Sequence, residues 1–314
     1  MKYPLVTALA GGVGGAKLVF GLAKILPLDC LRVIVNTGDD FDYCGLHISP
    51  DLDSIIYSLA EVSDPVKGYG RANDSFRVMD EIKNFGEDVW FRLGDLDLAL
   101  NLYRTQLLQS GFSLTDTTKN ICNSLNINHV ILPMTDDRAY TKIITHELGK
   151  LDFQEYFVKY KCEPNVEYID YSSIEESQTT TEALQAIVES DIIVFCPSNP
   201  WLSIFPILKL RGVENEINKK KVVAVSPIIG NNAVKGPAAK LFKNFGFLPS
   251  ALAVAEVYKE VINYLVIDKK NIAEIPDINK LGIKAHATDI MMGDNDAKIR
   301  LAGDLLKLIE IYLQ

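Results

Sequence analysis

Acids that recur in pairs are the first residues in this sequence that could do chemistry. Asp51 and Asp53 stand two residues apart in Ser49-Pro50-Asp51-Leu52-Asp53-Ser54, at the start of a helical pattern. Paired carboxylates there suit a hard cation such as Mg2+, which takes oxygen ligands. The same residues would equally well cap the helix and favour its dipole, with Pro50 in the first turn. Asp95 and Asp97 repeat the spacing beside Arg92, and Asp39-Asp40 and Asp136-Asp137 are adjacent pairs.

Anion binding is the second chemistry. Gly11-Gly12-Val13-Gly14-Gly15-Ala16-Lys17 follows an apolar run and opens a helical one. Such a loop lets a phosphate approach the backbone and meet N–H groups at a helix N-terminus. Gly11, Gly12 and Gly14 are therefore candidate phosphate contacts, and Lys17, one turn on, can add charge. The spacing matches neither a Walker A loop nor a regular dinucleotide fingerprint, which counts against a nicotinamide-dependent oxidoreductase. Three more polar loops follow apolar runs: Asn36-Thr37-Gly38-Asp39-Asp40, Pro197-Ser198-Asn199-Pro200 and Ser226-Pro227-Ile228-Ile229-Gly230-Asn231-Asn232. Serine and asparagine offer donors and acceptors without charge. Asn36, Ser198, Asn199, Ser226, Gly230 and Asn231 become candidates for a nucleotide, and Lys235 for its phosphate. His47, His129, His146 and His286 are dispersed and read as structural.

The elements that must position these loops follow from patterning. Residues 5–10 read as a buried strand, 15–26 as a helix and 31–35 as a second strand, the start of a parallel sheet. Residues 51–125 are mostly helical by pattern, so a helical insertion is expected at about 54–125. Strands return at 129–133 and in DIIVFCPSNP, KKVVAVSPIIG and YLVID, with a small β-rich insertion at about 141–172. Helices are expected at 181–189, 250–264 and 295–313. The fold class is α/β: a Rossmann-like, doubly wound, mainly parallel sheet in a single domain over 1–314. Ligands of such sheets sit outside the carboxyl ends of the strands. Five polar loops, Pro133-Met134-Thr135-Asp136-Asp137 among them, would converge there on one crevice.

Composition narrows the partners. The chain has 314 residues, 48% hydrophobic, with a net charge of −9 from 41 acidic and 32 basic residues. That balance disfavours nucleic acid, which wants a basic stripe. An anionic ligand would need a local device: backbone N–H groups, a few basic side chains, or a metal held by carboxylates. Five cysteines without a Cys-x-x-Cys pair suggest reduced thiols and a cytoplasmic location. No stretch reaches the roughly 18 apolar residues of a membrane span. The first apolar run, cut short by Gly11-Gly12, reads as a strand and not a signal peptide.

Taken in order, ALAGGVGGAKL, VIVNTGDDF, HISPDLDSIIYSLA, YGRANDSF, WFRLGDLDLA, SLTDTTKNI, ILPMTDDR, FQEYFVKYKCEP, FCPSNPWLSI, VVAVSPIIGNNAVKGPAAKL and ALAVAEVY resemble the 2-phospho-L-lactate transferases of coenzyme F420 biosynthesis. The resemblance runs along nearly the whole chain. It implies transfer of a 2-phospholactyl or phosphoenolpyruvyl group from a guanosine-diphosphate-linked donor to the ribityl hydroxyl of the deazaflavin Fo, with release of GMP and a requirement for Mg2+. It also implies that Asp53 and Arg92 contact Fo, that Asp53 and Asp51 serve the chemistry and the metal, and that the glycine, PSNP and SPIIGNN loops cradle the donor. Val13 and Leu96 depart from the pattern, standing where a hydroxyl-bearing and a basic residue are common. A related family of nucleotide-sugar-binding gluconeogenesis factors, non-catalytic regulators, shares the fold and a glycine-rich first loop. The SPDLD, PMTDD and SPIIGNN set favours the transferases. A homodimer is the default oligomer.

Overall fold

Short β-branched runs alternate with longer helical ones, and that rhythm builds a parallel sheet. A computed structural model describes residues 3–230, 232–233 and 238–313, with only the backbone of 232–233. Asn231 and Lys235 lie outside the described residues. In chain order the strands are β1 Val6–Ala10, β2 Leu31–Val35, β3 Phe41–Tyr43, β4 Leu46–Ile48, β5 Val130–Pro133, β6 Lys142–Thr145, β7 Gly149–Asp152, β8 Val166–Asp170, β9 Ile192–Phe195, β10 Lys221–Val225, β11 Ile228–Ile229, β12 Asn232–Ala233, β13 Tyr264–Asp268 and β14 Lys284–Thr288. The helices are α1 Gly12–Ile25, α2 Pro50–Leu59, α3 Arg77–Asn84, α4 Asp95–Gln109, α5 Leu114–Ser124, α6 Ser172–Glu176, α7 Thr181–Glu189, α8 Phe205–Lys209, α9 Val213–Ile217, α10 Ala238–Asn244, α11 Ala251–Tyr258, α12 Ile275–Lys280 and α13 Asn295–Leu313.

Seven strands form the main sheet in the order β14-β13-β10-β9-β1-β2-β5. Every neighbouring pair is parallel. Parallel strands are covered on both faces, so their side chains divide between two apolar layers. Leu9, Ile34, Ile193, Phe195 and Leu265 face one layer. Ala8, Val33, Val194, Val223 and Val266 face the other, where they meet Leu18 and Leu22 of α1 and Leu301 and Leu305 of α13. The chain runs outward from β1 to β5 on one side and from β9 to β14 on the other. The topological switch therefore falls between β1 and β9, the place where such sheets open a ligand crevice.

Between β2 and β5 stand the four helices α2 to α5, and between β5 and β9 the antiparallel sheet β7-β6-β8. Three features differ from the sequence reading. The hairpin β3–β4 precedes the helices, turning at Cys44 and Gly45, both at positive φ (51° and 73°). Such a turn is usually signalled by Asn-Gly or Asp-Gly, and Cys44 hides it. Edge strand β14 is only part-buried and carries Lys284 and His286, so it has no apolar run to betray it. The helix expected over 250–264 ends at Tyr258.

Candidate active site

A cavity of about 760 Å³ opens at the switch point. Its floor is the Gly11–Gly14 loop after β1 and the Pro197–Asn199 loop after β9. Ser226 and Pro227 reach it from beyond β10, and Asp39 from the loop after β2. The fifth polar loop does not arrive. Asp136 accepts hydrogen bonds from the N–H and hydroxyl of Thr115, in the first turn of α5, and Asp137 accepts from the Gln178 N–H. Both line a separate pocket of about 210 Å³. Their charge is spent on holding chain segments together.

Close packing explains the glycine run. Gly12 sits at φ +62°, where a side chain would be strained. A Cβ on Gly14 would lie 2.2 Å from the carbonyl oxygen of Pro197, so only glycine lets the β1 and β9 loops meet. Ser198 locks that meeting: its hydroxyl accepts from the Gly11 N–H (3.1 Å) and donates to the Gly11 carbonyl (2.7 Å). The Gly12 N–H donates to Asp51 Oδ1 at 2.6 Å. Ser198 and the Gly12 amide thus brace the site internally; they were expected to contact a nucleotide directly. Ser226 is also spent locally, on the carbonyl and N–H of Ile228, and Gly230, off the cavity wall, is held by Asn271. Asn199 differs. Its Oδ1 accepts from the N–H groups of Trp201 and Leu202, while its buried Nδ2 has no partner and its side chain borders the cavity. Lys17 borders it too, donating to the Met292 carbonyl at 2.7 Å.

The carboxylates sort into two sets. On an α-helix, residues two apart do not share a face, and α2 sends Asp51 and Asp53 to different partners. Asp53 is gripped by the guanidinium of Arg104, whose Nη1 lies 3.2 Å from Oδ2 and whose Nη2 meets Oδ1. Arg104 is 1% exposed and also donates to Asn101 Oδ1. Burial still pushes the Asp53 carboxyl up, and Arg104 only partly offsets it. Asp51 instead joins Asp39: the Asn36 amide donates to Asp51 Oδ2 at 2.9 Å and to Asp39 Oδ1 at 3.0 Å. Asn36 is fully buried beneath the pair, so it positions the acids and does not face a nucleotide. Gln154 donates to the other oxygen of Asp39. Burial and mutual repulsion hold Asp39 well above the usual carboxylate range, and burial brings Asp51 to about 7. Neither pairs with a lysine or arginine among the described residues. Behind them Asp40 bonds Ser49 and His47 through Oδ2, leaving a buried Oδ1 without a partner.

The opposite wall is aromatic. Trp90 and Phe91 come from the segment between α3 and α4, packed against Phe41 and Tyr43. Phe153 and Phe157 stack at 5.5 Å beside Gln154. Arg92 borders this wall, half exposed, paired with Asp80 at 2.6 Å and lying over the Phe76 ring. Asp95 and Leu96 face away from the cavity. Asp95 accepts from Ser75 Oγ and the N–H groups of Arg77 and Val78, capping α3. Sequence reasoning missed Arg104, Gln154 and the two aromatic pairs. Arg104 had a signal: Asp97, Asn101 and Arg104 fall at i, i+4 and i+7, a polar stripe down one face of α4.

Three comparisons bear on this arrangement. The family described as 2-phospho-L-lactate transferase CofD matches residues 6–294. The 2-phospho-L-lactate transferase of Methanocaldococcus jannaschii is 38% identical over 309 residues, covering 96% of this chain and 97% of that protein. That of Methanosarcina acetivorans is 37% identical over 302 residues, covering 96% and 98%. A crystal structure of a UPF0052-family protein from Bacillus halodurans superposes with a TM-score of 0.68 at 15% identity, covering 98% of this chain and 99% of that one, and so shares its fold.

Proposed function

The chain belongs to the 2-phospho-L-lactate transferase family, and from that premise we propose that its cavity moves a 2-phospholactyl or phosphoenolpyruvyl group from a guanosine-diphosphate-linked donor to the ribityl hydroxyl of Fo, releasing GMP. One observation carries the reading. The cavity joins two buried acids, Asp39 and Asp51, that no basic side chain among the described residues neutralises, to a glycine loop on one side and an aromatic wall on the other. The first half suits a metal-bound diphosphate and the second a planar deazaflavin.

The acids fit Mg2+. Side by side and each pushed toward protonation by burial and by neighbouring acids, these two carboxylates would be favoured in their charged form by a bound cation. No group of three or more His, Cys, Asp or Glu among the described residues is arranged to hold a metal alone. Mg2+ commonly uses one or two carboxylates and completes its shell with water and substrate phosphates. Asp39 and Asp51 would hold it; Asp53, expected from the Asp-x-Asp spacing, is occupied by Arg104. When bound, the ion supplies charge neutralisation to the donor's phosphate oxygens.

The remaining work belongs to side chains. Each carboxylate oxygen carries two lone pairs, so Asp53 can bond Arg104 and still accept a hydrogen bond from the acceptor hydroxyl. That hydroxyl oxygen attacks the phosphorus bearing the lactyl group, a new P–O bond forms, and the P–O bond to GMP breaks. Asp53 takes the hydroxyl proton, a role favoured by the burial that raises its proton affinity. Asn199 Nδ2 and Lys17 offer donors on the nucleotide side, and Arg92 lies at the acceptor side. The working unit is read as a soluble homodimer, which light scattering tests directly. Incubation with Fo, donor and Mg2+ should yield GMP and a phosphorylated deazaflavin; donor binding without either product would refute the assignment.

A further inference from the structure

Between β14 and α13 the chain crosses back toward α1, and this short stretch walls the cavity. Residues 289–292 alternate as an extended chain does. Ile290 and Met292 are buried and border the cavity, while Asp289 and Met291 are not part of its lining. The Ile290 N–H donates to Asp268 Oδ2 at the end of β13 (3.3 Å), and the Met292 carbonyl accepts from Lys17 of α1 (2.7 Å). Arg300, in the second turn of α13, fixes the stretch without bordering the cavity itself. Its Nη1 donates to the Asp289 carbonyl (2.7 Å). Its Nη2 donates to the Met291 carbonyl (3.1 Å) and lies 3.0 Å from the Asp289 carboxylate. One further tie, from Thr288 Oγ1 to Asp304 Oδ2 at 2.8 Å, joins the end of β14 to the same helix.

Topology sets this stretch apart from the aromatic wall. It leaves the sheet on the arm that runs from β9 to β14, whereas Trp90, Phe91, Phe153 and Phe157 come from insertions that leave the other arm at β2 and β5. It meets α1 at Lys17, just past the glycine loop. A phosphate held at that loop therefore shares its end of the cavity with Ile290 and Met292, and beyond the phosphate of a nucleotide come sugar and base. Three of the four carbonyls in the stretch are occupied by Arg300 and Lys17, so what it chiefly offers a ligand is those two side chains. A branched aliphatic group packs on the flat face of an aromatic ring, and a thioether makes favourable contacts with one. We infer that Ile290 and Met292 seat the planar base of the donor nucleotide, and that Arg300 is the positioning residue that sets this seat. This rests on the donor reading above and adds to it: the glycine loop serves the phosphates, and the base is held by a stretch whose place is fixed from α13. The planar guanidinium reaches two carbonyls at once, which the point charge of a lysine does not.

The test reads base and phosphate separately. GMP, and ribose 5-phosphate, which lacks the base, are titrated by calorimetry into wild type, Arg300→Ala, Arg300→Lys and Met292→Ala. Fo is titrated into the same proteins by deazaflavin fluorescence. Wild type should bind GMP on the order of 10-fold or more tightly than ribose 5-phosphate. In Arg300→Ala and Met292→Ala, GMP should weaken on the order of 10-fold while ribose 5-phosphate and Fo stay within about two-fold. Arg300→Lys keeps a charge near Asp289 but loses the fork, so it should restore only part of the loss. Arg300 is part-exposed, so its removal opens no core cavity, and Tm checks the fold of each variant. GMP bound no more tightly than ribose 5-phosphate by wild type, or GMP binding unchanged in Arg300→Ala and Met292→Ala, would overturn the seat. So would an equal loss of ribose 5-phosphate or Fo, which marks a general defect of the cavity. A base preference in wild type with no turnover would instead overturn the reaction and leave the seat standing.

Discussion

In the reaction proposed, Arg104 would serve the chemistry through its grip on Asp53, without touching a reactant. A buried ion pair is of doubtful net value, but breaking one leaves a bare charge and costs about 3–5 kcal/mol. Arg104→Ala should therefore lower stability by about that much and, by releasing Asp53, lower kcat as well. Arg104→Met in the same assay should pack better yet restore no activity. If Arg104→Ala folds normally and turns over normally, Asp53 does not need its grip. Asp51 makes a second residue-scale prediction. Its carboxyl titrates near 7 in the folded chain, against an ordinary value of 3.8. The folded state thus holds the extra proton, and the stability this contributes is full below about pH 4 and lost as pH rises through about 7. Tm without Mg2+ should fall between about pH 5 and about pH 8, and Mg2+ should raise it more at the higher pH. Asp51→Asn should flatten both effects. A Mg2+ response unchanged in that variant would move the metal elsewhere.

At the scale of elements, the acids divide into those that tie helix starts outside the cavity and those that line it. Asp136 caps α5 from outside the main cavity. Asp136→Ala should cost about 1 kcal/mol of stability with kcat unchanged. Gly14→Ala should act the other way, on function first, since its Cβ would drive the β1 loop from Pro197. Donor KM should rise more than acceptor KM, and an unchanged donor KM would dissociate this loop from the nucleotide. The sequence made β1, α1 and β2 legible because apolar runs of strand and helix length alternate there, punctuated by Gly11-Gly12. It also pointed to the loops after β1, β2, β9 and β10. It did not reveal which acids meet: Asp39 and Asp51 are joined by Asn36 across two loops, a contact made only by the folded chain. Nor did local pattern reveal the wall of Trp90, Phe91, Phe153 and Phe157, whose members come from segments far apart in sequence.

For the whole molecule, the net charge of −9 has a distribution that matters more than its size. Asp95, Asp136 and Asp137 sit on the surface capping helices and tying loops. Asp39, Asp40 and Asp51 are buried together near the switch between β1 and β9. An acidic protein can hold an anionic donor when such acids gather around a cation. No helix among the described residues is long and apolar enough to cross a membrane. The most direct test of the account follows the bridging oxygen of the donor's diphosphate. With that oxygen labelled and both products weighed by mass spectrometry, attack on the lactyl-bearing phosphorus places the label in GMP. The account predicts labelled GMP and an unlabelled phosphorylated deazaflavin in equal amounts. Label retained by the deazaflavin product, or no GMP from a protein that binds donor, Fo and Mg2+, would contradict it.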